Sequence, residues 1–171
     1  MLLIDLWNAN RGELAGKSIQ QIIAFSGDGA LTDSASAPDE FRHFLRHVHS
    51  DGIRGYIEEC LASTFPRSGE ALQDLVNEVG RRLGFDVLPG RYSGLPNQAN
   101  QDGIWRYSDG HTVVVEVKAS WNRHLYDALA DQLAQGYLNG VTRQHGVYLV
   151  GWFGSAGWVD RSVGRPRRPA G

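Results

Sequence analysis

Gln101-Asp102-Gly103-Ile104-Trp105-Arg106-Tyr107-Ser108-Asp109-Gly110-His111-Thr112-Val113-Val114-Val115-Glu116-Val117-Lys118 is the stretch whose reading decides the fold. Thr112 to Lys118 is a β-branched run, the composition of a strand, and it suddenly admits two charges of opposite sign. Strand side chains alternate between faces, so Val114, Glu116 and Lys118 emerge together. Ile104 to Tyr107 predicts a second strand, joined to the first through Ser108-Asp109-Gly110. The register depends on that turn. A two-residue Asp109-Gly110 loop sets Asp102 against Val117 and turns its carboxylate away from Glu116. A three-residue loop, a type I turn closed by a left-handed Gly110 in a bulge, sets Asp102 opposite Glu116 on the same face. Glycine at the third loop position is what that bulge prefers, so the second register is expected.

Outward from this hairpin, Glu70 to Leu83 predicts a helix with Leu72, Leu75, Val76, Val79 and Leu83 on its buried face and Gly84 as a left-handed cap. Phe85 to Leu88 is a short strand. After the hairpin, Leu125, Leu129, Leu133 and Tyr137 form one helical row that stops at Asn139-Gly140. Gly146 to Phe153, with Trp152 and Phe153 in the core, predicts a last apolar strand in the sheet interior. The order is helix, three strands, helix, strand over residues 68–153.

Residues 1–67 read as a mainly helical accessory region. Phe41, Phe44, Leu45 and Val48 share one helical face, and Ile53, Tyr56, Ile57, Cys60 and Leu61 repeat the spacing. Between Phe25 and Pro38 lies a Gly-, Ser-, Asp- and Ala-rich loop, expected to be mobile. Residues 154–171 form a Gly-, Ser-, Pro- and Arg-rich tail, expected to be flexible; its Arg161, Arg165, Arg167 and Arg168 are of a kind that touches phosphates.

Burying charge is costly unless it is paired or bound to a metal, so Glu116 and Lys118 on a mostly buried strand ask for a reason. Of seventeen basic residues only Lys17 and Lys118 are lysines. A compact cation on a flexible stem suits orienting or activating a water. Two carboxylates across a strand pair, Asp102 and Glu116, make a site for a hard cation such as Mg²⁺, which takes oxygen ligands and keeps waters. The Val117 carbonyl is a further candidate for its inner shell. Glu78, beside the apolar stripe of the first core helix, is a candidate for a metal-bound water or a second ion.

The element order, with Asp102 and then Glu116-Val117-Lys118, resembles the PD-(D/E)XK superfamily of restriction-endonuclease-like proteins. The resemblance covers about half of the chain. It implies an α/β fold with a restriction endonuclease-like αβββαβ core, a mixed sheet flanked by helices, and the N-terminal helical region added to it. It implies a metal-dependent endonuclease hydrolysing phosphodiester bonds, with Mg²⁺ as cofactor and Mn²⁺ as a substitute. Carried across, Asp102 and Glu116 hold the metal and Lys118 assists the attacking water; an acid on the first core helix is frequent in the superfamily, which supports Glu78. The residue before the aspartate, usually proline there, is Gln101. Gln132 on the second core helix is a candidate substrate contact. Arg91 and Tyr92, in the segment before the site, are candidates to line a nucleic-acid groove. Nucleic acid, DNA first, is the expected partner, with a restriction or phage-defence effector as the biological setting, acting as a homodimer or as a module of a larger defence protein. The rival expectation is a catalytically silent nucleic-acid-binding module with the same fold.

Length and composition bound these readings. At 171 residues, 42% hydrophobic and 21% charged, the chain suits one folded unit with attachments. A net charge of −2 gives no overall basic excess, so any groove must carry local positive charge. Cys60 is alone, which excludes an intrachain disulfide and a cysteine zinc site. The apolar start meets Asp5 at once and lacks the pattern of a secretion signal, and no stretch is long enough to span a bilayer, so a cytoplasmic location without a membrane partner is expected. His43 and His47 lie one helical turn apart, but Phe44 follows His43 where a zinc protease has glutamate, and the two read as exposed polar residues. No serine sits in a nucleophile-elbow pattern.

Overall fold

The structure, a computed structural model, describes residues 3–63, 65–93, 101–119, 133, 138, 145–151, 158–160 and 165–167. Among these, six helices lead into a four-stranded mixed sheet, an α/β arrangement. The helices are α1 (Leu3–Ala9), α2 (Arg11–Leu14), α3 (Ile19–Phe25), α4 (Ala37–Leu45), α5 (Ser50–Ala62) and α6 (Ser68–Arg82). The strands are β1 (Asp86–Pro89), β2 (Gly103–Arg106), β3 (Thr112–Ala119) and β4 (His145–Gly151), in the order β1-β2-β3-β4. β1, β2 and β3 run antiparallel in turn, and β4 lies parallel to β3.

Local chemistry sets the helix ends. Ser18 and Gln21 close a capping box on α3, each side chain meeting the other's backbone N–H. Pro38 sits in the first turn of α4, where its missing N–H costs nothing. Phe41, Phe44, Leu45 and Val48 are buried as their spacing predicts, while His43, His47 and His49 are exposed. Gly84, at φ +93°, terminates α6 with Phe85 N–H donating to the Gly80 carbonyl.

One buried cluster runs from Leu3, Leu14 and Ile22 through Phe41, Phe44 and Ile53 to Leu72, Leu75, Val87, Trp105, Val113 and Val115. The N-terminal helices and one face of the sheet therefore share a core, with α6 between them. On the other face Val114 packs with Leu133, and Leu138 and Tyr148 border them.

Four expectations need correction. α6 is not buried on one stripe alone: Gln73, Asp74, Asn77 and Glu78 are buried too, because helices cover one side of it and the sheet the other. Leu83, expected in the stripe, is 67% exposed, since the helix has ended and the chain turns away. The loop after Phe25 is pinned rather than loose. Leu31 is fully buried, and Asp33 accepts hydrogen bonds from Tyr92 N–H, Ser93 N–H and Ser93 Oγ. β4 starts at His145 and stands at the end of the described strand order rather than inside it, with Leu149 exposed. Within residues 154–171, β5 (Trp158–Asp160) and β6 (Arg165–Arg167) pair antiparallel. The helix expected before Asn139-Gly140 lies outside the described residues except for Leu133 and Leu138, as do Trp152 and Phe153. No helix among the described residues is long and apolar enough to cross a membrane.

Candidate active site

The turn between β2 and β3 takes the three-residue form. Tyr107 N–H donates to the His111 carbonyl at 2.8 Å, Gly110 N–H returns to Tyr107, and Gly110 has φ +87°. β2 and β3 then pair Trp105 with Val113 and Gly103 with Val115, so the next position sets Asp102 against Glu116. Val117 follows Val113 and Val115 in the row of β3 residues whose backbone faces β2, but it lies past the last ladder pair. Its N–H is taken by the Asp102 carboxylate, Oδ2 accepting at 2.7 Å. The carbonyl of a strand residue points to the same side as its N–H, so the Val117 carbonyl is directed to the β2 side of the strand.

Both carboxylates converge on Lys118. Its ammonium pairs with Glu116 Oε1 and lies 4.0 Å from Asp102 Oδ2. Glu116 is 1% exposed, and its Oε2 has no hydrogen-bond donor among the described residues. Burial first, and the charge of Asp102 second, push the Glu116 carboxyl up to about 7 against the pull of Lys118. Burial also pushes Asp102 up; Lys118 and the Val117 N–H oppose that, and the charge of Glu70 adds to it. Two acids short of compensating charge, with one buried oxygen unpartnered, fit a hard divalent cation bound through Asp102 and Glu116.

The other candidates are placed differently. Glu78 points to the helical side of α6: its carboxylate is 2.9 Å from Arg82 Nε and 3.7 Å from Arg81 Nη1, and Arg82 reaches on to the carbonyls of Leu45 and Val48. The α6 acid whose charge acts on Asp102 is Glu70, paired with Arg67 at 2.7 Å. Arg91 follows β1, half exposed and 3.8 Å from Asp33. Tyr92 turns inward, its hydroxyl donating to Asp74, whose other oxygen accepts from Arg42 Nε at 2.8 Å. Gln132 lies outside the described residues.

Sequence reading missed Glu70, Gln73 and Asn77, which share one side of α6. The signal was present: residues 70, 73 and 77 repeat at helical spacing, and two amides there border an apolar stripe. Comparisons with protein-family models, curated proteins and solved structures return no match, so the functional reading rests on geometry and chemistry.

Proposed function

We propose that this chain is a metal-dependent nuclease that hydrolyses phosphodiester bonds in nucleic acid, DNA first, with Asp102, Glu116 and Lys118 as its centre. The observation that carries the proposal is the meeting of two under-compensated carboxylates, buried Glu116 and half-buried Asp102, with one lysine across the β2–β3 pair. The order α6, β1, β2, β3, with β4 parallel to β3, supports a restriction endonuclease-like core. Asp102 and Glu116 would hold the cation, with the Val117 carbonyl on the same side.

A bound Mg²⁺ or Mn²⁺ would supply Lewis-acid polarisation of a phosphoryl oxygen. The protein's own part is positioning and charge. The β3 backbone holds Glu116 and Lys118 two residues apart on one face, and the turn at Gly110 sets Asp102 beside them. The Lys118 ammonium is a donor for an attacking water or for the charge that grows on the phosphate oxygens. Water oxygen bonds to phosphorus, one P–O bond to sugar breaks, and a proton ends on the leaving oxygen.

Incubating plasmid, linear DNA and RNA with the protein, with and without Mg²⁺ or Mn²⁺, tests this. Cleavage that needs the cation and falls about 100-fold or more in Lys118→Ala is expected. Equal nucleic-acid binding by both proteins with no cleavage by either would leave a silent binding module instead.

A further inference from the structure

α6 reaches the start of β2 through two buried amides. Gln73 Nε2 donates to the Asp102 carbonyl at 3.1 Å and Asn77 Nδ2 at 2.9 Å, and Gly90 N–H adds a third bond at 2.9 Å. Asn77 Oδ1 accepts in turn from Trp105 Nε1 at 3.0 Å, so one carboxamide ties the helix to both Asp102 and Trp105. Gln73 and Asn77 stand one helical turn apart and are 5% and 1% exposed. Missing side chains allow this approach. A Cβ on Gly103 would lie 2.2 Å from Asn77 Oδ1, and one on Gly80 would lie 2.5 Å from the Trp105 ring.

A carbonyl oxygen has two lone pairs, and three donors leave this one little freedom to rotate. The peptide plane it fixes begins at the Asp102 Cα, from which the carboxylate hangs. We propose that Gln73 and Asn77 are positioning residues of the metal centre, holding Asp102 through its main chain so that its carboxylate faces Glu116 and a divalent cation. The inference rests on the metal-centre reading above. Neither amide touches the cation or a substrate; both act through Asp102. Outer partners of this kind usually change metal affinity 10–100-fold when removed. A role in packing alone would change stability and leave affinity untouched.

Calorimetric titration of the full chain with Mn²⁺ separates these roles, with thermal melting of each variant as the check on folding. Gln73→Met, nearly isosteric and without a donor, should fold and bind Mn²⁺ about 10-fold more weakly than the wild type. Asn77→Leu should weaken binding at least as much, and Asp102→Asn should remove the site. If Asn77→Leu does not fold, Gln73→Met decides alone, because it keeps the Asn77 to Trp105 bond. Wild-type Mn²⁺ affinity in folded Gln73→Met overturns the positioning role and leaves the metal centre standing. A wild-type protein with no Mn²⁺ site dependent on Asp102 overturns both.

Discussion

Glu116 keeps its proton to about pH 7 because it is buried beside Asp102, whereas the same side chain in the unfolded chain titrates near 4.5. The folded state therefore binds a proton that the unfolded state gives up between those values. Stability gained from this group is complete below about pH 4.5 and is lost as pH rises through about 7. Melting temperature of the metal-free protein should fall over that window, and Mg²⁺ should restore part of it at pH 8. A cation must displace the same proton, so Mn²⁺ affinity should rise roughly tenfold per pH unit between 5 and 7 and level off above. Lys118 balances both acids from a half-buried position. Lys118→Met should destabilise the fold at pH 8 by roughly 3 kcal/mol, with most of the loss recovered below pH 5, as read by urea unfolding at the two pH values.

At the scale of elements, the glycines of the hairpin differ in kind. At Gly110 an added Cβ meets nothing within 4 Å, so Gly110→Ala carries only the strain of φ +87° and should cost about 1 kcal/mol. Gly103→Ala drives a methyl into Asn77 and should cost roughly 3 kcal/mol while weakening Mn²⁺ binding. Denaturation midpoints and Mn²⁺ titrations of the two variants check the contrast. The hairpin register was legible in the sequence because turn chemistry is local: Gly110 falls at the third loop position, where a type I turn with a bulge prefers glycine. α6 was legible as a helix and less so as a surface. An amphipathic stripe presumes one buried side, and only the tertiary structure shows that this helix is enclosed on two. That is why Glu78 looked free to serve a cation, while its carboxylate is held by Arg82 and Arg81 and the charge felt by Asp102 comes from Glu70.

For the whole molecule, the helices before residue 68 and the sheet share one core. Leu72, Leu75 and Val115 are buried in the same cluster as Phe41, Phe44 and Ile53. Asp74, fully buried on α6, binds Arg42 of α4 and Tyr92 beyond β1, joining the two parts through charge as well. Asp74→Leu would leave Arg42 without its buried partner and should cost roughly 3–5 kcal/mol. A fragment beginning at Ser68 should show no cooperative melt by circular dichroism, because the helix that carries the amides behind Asp102 would lose its cover. Sequence pattern identified the N-terminal helices but not this dependence, which arises from contacts between residues far apart in the chain.

The claim that Asp102 and Glu116 form a cation site has a direct crystallographic test in anomalous scattering from crystals soaked in Mn²⁺. A peak within about 2.0–2.5 Å of oxygens from both carboxylates is the expected result. Full soaking with no peak between them, or an ion bound only elsewhere, would contradict it.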